Sequence, residues 1–278
     1  MISIEPKEIN TVIYHKNCSD GFGAAWAAYE MLGNKCTYIA MNYDDKEIAY
    51  ELKNRTIAVL DFSFTEEEIS KIESNNNKMI IIDHHKTALK IKDLNNVILN
   101  INKSGAILAW EYFHPTKDPP TFLKYIQDRD LWEWKLENSH EFSIAFQNVP
   151  KNFYEYSKYK DAKEIRKLIK TGSALRDYQK ELIKSIGNKA ATVNWKGVTI
   201  KLVNSPILQS EIGDYLSSEE TVALIYYKNH ETNKIIGSLR SKGNLDVSSI
   251  AENFGGGGHK NAAGFTLKID DDITNYFN

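Results

Sequence analysis

The residues best suited to chemistry lie at the ends of apolar runs. VIYH closes on His15, AVLD on Asp61, and IIIDHH on Asp83, His84 and His85. Imidazoles and carboxylates hold divalent transition metals, and this mixture suits Mn, Fe or Zn better than Ca. Carboxylates gathered in one place repel and raise each other's pKa, a cost that a bound cation relieves. Any one of these residues alone has a plainer use, a strand-end Asp being usually a turn or helix-cap residue. Three such endings change the balance if the strands are neighbours. In an open parallel sheet, ligands gather outside the carboxyl ends of the strands. His15, Asp61, Asp83, His84 and His85 would then converge on one edge.

The elements that must position them are legible as β-branched runs at 11–14, 56–60, 78–82 and 96–101. Each is followed by a polar cluster and most by a stretch with helical spacing, the pattern of βα units feeding a parallel sheet. Helices are expected over 23–32, over 65–73 with Thr65 as N-cap and acidic residues in the first turn, and over 104–113 with Ser104 as cap. Residues 153–188 turn lysine-rich and helical, with Gly172 as a break. Beyond them TVNWKGVTIKLV, TVALIYYKNHETNKIIGSLRS and GFTLKI read as strands, one pair joined by a polar turn near 229–233. The fold class is therefore α/β: an N-terminal parallel-sheet domain over 1–150, a helical connector over 151–190, and a smaller mixed α+β domain over 191–278.

A second chemical signal lies in that last domain. The run Gly255, Gly256, Gly257 and Gly258 costs backbone entropy, and is justified where the chain must approach a ligand closely or adopt positive φ. Four glycines alone are more often a linker. Preceded by VSSIAENF and followed by HKNAAGF, their N–H groups read as an anion cradle ahead of a stretch that opens a helix. Arg240 and His259 would add side-chain donors, the Arg as a bidentate fork. The aromatic cluster Trp132, Trp134, Phe142 and Phe146 reads as packing.

Composition bounds the rest. With 278 residues and 42% hydrophobic content, the chain can build two modest cores. A net charge of −2 offers no bulk attraction to nucleic acid, so long duplex DNA is not expected as a partner. No apolar stretch approaches the ~18 residues of a membrane span and no signal peptide is evident, so a cytoplasmic protein without membrane attachment is expected. Cys18 and Cys36 form neither a CxxC pair nor a disulfide framework.

Against that background IIDHHK (81–86) resembles the signature motif of the DHH phosphoesterase superfamily. YHKNCSDGFGAAWAAY (14–29) resembles the family's first motif, LDFSF (60–64) its second and IQDRDLW (126–132) its fourth. GSLRS (237–241) with GGGGHKNAAGF (255–265) resembles the accompanying DHHA1 domain. The resemblance implies hydrolysis of phosphate esters or anhydrides by two divalent ions, Mn2+ first, with Mg2+ or Fe2+ as alternatives. It implies His15, Asp20, Asp61, Asp83, His84 and Asp128 as metal ligands, Asp83 ligating or orienting. His85 would lie beside the scissile phosphate with Asp83 as catalytic partner, and Arg240, Gly255 to Gly258 and His259 would hold substrate. Asp130 is expected to stand behind Asp128.

The first motif departs from the family, which usually has a carboxylate two residues before the position of Asp20, where this chain has Cys18. Because Mn prefers oxygen ligands, Asp20 and water are expected to complete the shell, with Cys18 not essential. Two ions can activate water and clamp phosphoryl oxygens, so no protein nucleophile is required. The expected activity is hydrolysis of small nucleotide-type phosphodiesters or phosphomonoesters, such as short single-stranded oligonucleotides, pAp or cyclic dinucleotides. The alternatives are a catalytically weakened nucleotide-binding regulatory module and a pyrophosphatase. The substrate, the metal and a homodimeric state are left open by the sequence.

Overall fold

In a computed structural model, residues 2–43 and 45–277 are described. They form two compact units, 1–176 and 177–278. The first unit opens with β1 (Thr11–His15), α1 (Ser19–Leu32), β2 (Thr37–Met41), a short α2 (Glu47–Tyr50), β3 (Thr56–Leu60) and α3 (Glu66–Glu73). β4 (Lys78–Asp83), β5 (Val97–Leu99), α4 (Gly105–Phe113), α5 (Thr121–Asp130), α6 (Ser139–Phe146) and α7 (Phe153–Lys158) follow. The helix α8 (Ala162–Gly187) contributes residues to both units.

The five strands form one all-parallel sheet in the order β2-β1-β3-β4-β5, so β1, β3 and β4 are adjacent at its centre. Each buries both faces, which is why their sequences read as continuous apolar runs. Alternate residues serve two cores. Val12, Ala58, Leu60, Ile80 and Ile82 pack with α1, α4, α5 and α6 on one face. Ile13, Ile57, Val59, Met79 and Ile81 pack with Ile69 and Ile72 of α3 on the other. The expected caps form: Thr65 accepts from Glu68 N–H in a reciprocal capping box, and Ser104 accepts from Ile107 N–H.

Two expectations are corrected. α1 begins four residues before Gly23, so Asp20 lies in its first turn rather than in a preceding loop. Ser19, Asp20 and Gly21 carry turn chemistry, but packing of Gly21 against His15 overrides it. Gly172 does not break the lysine-rich segment; α8 runs through it, and the interruption falls after α7 at 159–161. A Cβ at Gly172 would strike the Glu141 carbonyl of α6, so that glycine permits close helix packing.

The second unit continues with β6 (Ala191–Trp195), β7 (Val198–Asn204), α9 (Gln209–Leu216), β8 (Thr221–Asn229), β9 (Lys234–Arg240), α10 (Val247–Glu252), β10 (Gly257–His259) and β11 (Ala262–Lys268). Its sheet has the order β10-β11-β9-β8-β7-β6, with β7 and β8 parallel and the other pairs antiparallel. The parallel pair requires a crossover, which α9 supplies. One face buries Leu202, Leu224, Leu239 and Phe265 with Val247 of α10, the other Val203, Ala223 and Ile225 with Ile212 of α9. No helix among the described residues is long and apolar enough to cross a membrane.

Candidate metal centre

The central strands deliver their terminal residues to one edge. His15 ends β1, Asp83 ends β4, and Asp61 directly follows β3 in the left-handed region, at φ 53°. That conformation is uncommon for a residue with a side chain and is held only where the surroundings over-determine it. It is fixed here by the bond from Asp61 N–H to the Ile82 carbonyl (2.9 Å) and by complete burial. Three imidazoles surround the Asp61 carboxylate: His84 Nε2 is 3.1 Å from Oδ1, His15 Nδ1 3.5 Å from Oδ2, and His85 Nδ1 3.9 Å from Oδ1. Asp83 plays another part. Its Oδ1 accepts the His84 N–H (2.7 Å) and lies 2.7 Å from His85 Nδ1, tying the DHH turn to its own imidazole.

Two helix N-termini close the edge. Asp20 accepts N–H groups from Gly105 (2.6 Å) and Ala106 (3.0 Å) at the start of α4, so a carboxylate in the first turn of α1 meets the positive end of a second helix. The same carboxylate is 3.7 Å from His84 Nε2. Glycines permit this approach. A Cβ at Gly105 would lie 2.5 Å from the Asp61 Cβ, and one at Gly21 would strike His15. Neither glycine stands out in the sequence, although a glycine inside a helix costs about 1 kcal/mol against Ala and so calls for a packing reason.

α5 corrects one ligand assignment. Asp128 is buried, but its carboxylate accepts N–H groups from Lys135 (2.9 Å) and Leu136 (3.2 Å), and it enters no potential metal-binding group among the described residues. It organises the loop after α5. Asp130 comes to the site instead, its Oδ2 3.5 Å from His84 Nε2. A signal for this was present. Phe122 and Ile126 are buried on α5, and Asp130, four residues after Ile126, lies on their side of the helix. In the same region Phe142 and Phe146 are buried and stacked, in line with a packing role.

The potential ligands fall into overlapping groups whose donor atoms lie within 4.8 Å of one another: Asp61, Asp83, His84 and His85; His15, Cys18 and Asp61; and Asp20, His84 and Asp130. Both oxygens of Asp61 and Oδ2 of Asp83 are buried with no hydrogen bond of satisfactory geometry. Buried carboxylate oxygens left in that state are costly, and a cation resolves them. The protonation balance points the same way. Burial opposes charge on His84, yet its contact with Asp61 and the charges of Asp130 and Asp20 raise its pKa to about 10. His85 behaves alike: burial lowers it, and Asp83 raises it to about 9. For Asp61 burial works upward, but His15 and His84 hold it well below the usual carboxylate range. Asp20 is pushed well above its usual range by burial and then by Asp130 and Asp61. Protons thus balance a strongly anionic pocket. Divalent cations would take over that role, and the residues fit them.

In the second unit, His259 on β10 and Arg240 on β9 are both register partners of Ala262 on β11, which places them on one face, two strands apart. Arg240 donates to Ser210 Oγ (2.9 Å). The glycine run does not open a helix. Gly255 and Gly256 donate to the Glu252 and Ala251 carbonyls and close the C-terminus of α10, while Gly257 and Gly258 enter the β10–β11 hairpin. Gly255 (φ 72°) and Gly258 (φ 144°) occupy conformations that favour glycine, so turn geometry accounts for part of the run.

The model of the DHH family, N-terminal domain, matches residues 10–128, and that of the DHHA1 domain matches 195–276. An uncharacterised protein of Acanthamoeba polyphaga mimivirus is 32% identical over 286 residues, covering 94% of this chain and 68% of that protein. Among solved structures, RecJ from Thermus thermophilus in complex with Mn2+ has a TM-score of 0.53 at 15% identity, over 93% of this chain and 49% of its own. An exopolyphosphatase-related protein from Bacteroides fragilis has a TM-score of 0.52 at 18% identity, over 97% and 89%.

Proposed function

The chain belongs to the DHH phosphoesterase superfamily and carries a DHHA1 domain, and on that premise we propose that it hydrolyses small nucleotide-type phosphodiesters or phosphomonoesters with divalent metal ions, Mn2+ foremost. Short single-stranded oligonucleotides, pAp and cyclic dinucleotides are the candidate substrates, in a cytoplasmic setting. The observation that carries the proposal is Asp61, a buried carboxylate with unsatisfied oxygens between His15, His84 and His85 at the carboxyl edge of a parallel sheet.

His15, Asp61, Asp83, His84, Asp20 and Asp130 would hold the ions; Asp83 Oδ2 is available, while Oδ1 serves His85. Divalent ions bound there supply charge stabilisation at the phosphoryl oxygens and a more acidic water. Asp83 Oδ1, 2.7 Å from His85 Nδ1, would keep a proton on that nitrogen, as a carboxylate partner does for a working imidazole. His85 can then donate a hydrogen bond to a phosphate oxygen or a proton to the leaving group. Arg240 and His259, on one face of the second sheet, would grip a substrate phosphate.

The test is hydrolysis of an activated aryl phosphodiester, pAp, dinucleotides, cyclic dinucleotides and pyrophosphate by metal-depleted protein with and without added Mn2+. Asp83→Asn and His84→Ala should each lower turnover at least ~10²-fold, since lost metal-held charge stabilisation costs several kcal/mol at the transition state. Full activity in chelated, metal-free protein would sink the reading. Cys18 favours one rival, a nucleotide-binding module with a weakened site. Tight nucleotide binding without turnover on any of these substrates would select it.

A further inference from the structure

We infer that Cys18 is a metal ligand, so that one position of this centre is held by His15, Cys18 and Asp61 and is softer than an all-oxygen and imidazole site. The inference rests on the metal-dependent reading above. Asp20, expected to complete the shell with water, is not grouped with His15 in the structure. Asp20 is turned to the start of α4, where both its oxygens accept backbone N–H groups, and its potential ligand group is the one with His84 and Asp130. The donor atoms within 4.8 Å of one another on the His15 side are those of His15, Cys18 and Asp61.

A cysteine alone would be no site. The independent observation is Asp61: 1% exposed, with both carboxylate oxygens lacking a satisfactory hydrogen bond. Cys18 is a half-buried residue that lines a cleft with Ser19, Asp20, Arg129 and Asp130. Cys18 is also the N-cap of α1, and its carbonyl accepts the Phe22 N–H (3.1 Å). Its position is therefore set by backbone, not by the chemistry of its side chain. On binding, the thiol proton leaves to solvent and sulfur bonds the ion, as expected of a coordinating thiol. Thiolate ligands favour Zn2+, Cd2+ and Co2+ over Mg2+ and Mn2+.

The test uses the full-length, metal-depleted protein titrated with Co2+, with bound metal counted after dialysis. A thiolate ligand gives a sulfur-to-cobalt charge-transfer band in the near ultraviolet, so wild-type protein should develop that band in proportion to one bound ion. Cys18→Ser, isosteric and a good N-cap, should lose the band and weaken Cd2+ relative to Mn2+ by at least about tenfold. Cys18→Asp should also lose the band while binding Mn2+ more tightly than wild type does. Two Co2+ bound without the band, or a band that persists in both variants, overturns the assignment of Cys18 and leaves the phosphoesterase reading intact. No Co2+ or Mn2+ bound at all overturns both.

Discussion

Replacing Gly105 by Ala tests whether helix approach, and not ligand type alone, builds the centre. The added Cβ would lie 2.5 Å from Asp61 Cβ and 2.9 Å from its Cγ and Oδ1. Carbon atoms in contact prefer about 3.5–4.0 Å, so Asp61 or the start of α4 must move by roughly 1 Å. Asp61 has little freedom, being fully buried at positive φ with its N–H bonded to Ile82. A shift of α4 would in turn break the two bonds from Gly105 and Ala106 to Asp20. Misplacement by about 1 Å at a reacting centre costs on the order of 10²-fold in rate. Overpacking costs about 1–3 kcal/mol, offset by up to about 1 kcal/mol from replacing a helical glycine. Gly105→Ala should therefore lose about 10²-fold in Mn2+-supported turnover and bind metal more weakly, while the unfolding free energy falls by no more than about 3 kcal/mol. The measurements are equilibrium metal binding, turnover on an aryl phosphodiester, and urea unfolding of the metal-free chain. Wild-type turnover and metal affinity in this variant would refute the claim that the close approach of α4 dictates where Asp61 stands.

The paired aspartates of α5 should separate: Asp130→Asn should lower metal content with little change in unfolding free energy, whereas Asp128→Asn should leave metal content intact and destabilise by about 1–3 kcal/mol, because its carboxylate accepts two loop N–H groups. Metal analysis and urea unfolding of both variants decide it, and metal loss in Asp128→Asn alone would reverse the assignment. Arg240→Ala and His259→Ala should each lower kcat/KM for a nucleotide substrate about ten- to a hundredfold, the size of one charge-assisted hydrogen bond, with metal content and hydrolysis of a minimal aryl phosphodiester unchanged. Equal losses on both substrates would place these residues in folding or in the chemistry itself.

The legible parts of the fold are those whose burial leaves a linear trace. β1, β3 and β4 are covered on both faces and so appear as unbroken β-branched runs whose first polar residue marks the strand end. That is why His15, Asp61 and the Asp83–His84–His85 turn can be placed on one edge from the sequence. β2 is an edge strand with mostly half-buried residues, and its TYIAM run carries no comparable signal. The start of α1 escapes a sequence reading because Ser19, Asp20 and Gly21 are turn formers by local chemistry and helical only through contact with His15 and α4. The choice between Asp128 and Asp130 depends on the rotation of α5 about its axis, and burial of Asp128 in the same helix blurs the sequence signal for it. Residues two apart on a helix face different ways, so only one of the pair could reach His84. In the second unit the glycines of the run share one residue type but not one task, which composition cannot separate.

The construction of the centre explains why its geometry should be so sensitive to small changes nearby. The left-handed backbone at Asp61 costs about 1–3 kcal/mol, and its unsatisfied buried oxygens add a comparable cost. The imidazoles of His15, His84 and His85 offset part of this cost within the site. The rest is offset by the two cores that clamp the β-sheet, with Val12, Leu60 and Ile82 on one face and Ile13, Val59 and Ile81 on the other. A helix N-terminus holds Asp20, a loop closes over Asp128, and the DHH turn satisfies one oxygen of Asp83 while leaving the other open. Among the buried carboxylates of the centre, the oxygens left without a backbone partner belong to Asp61 and Asp83, and this distinguishes a binding centre from a merely acidic strand edge.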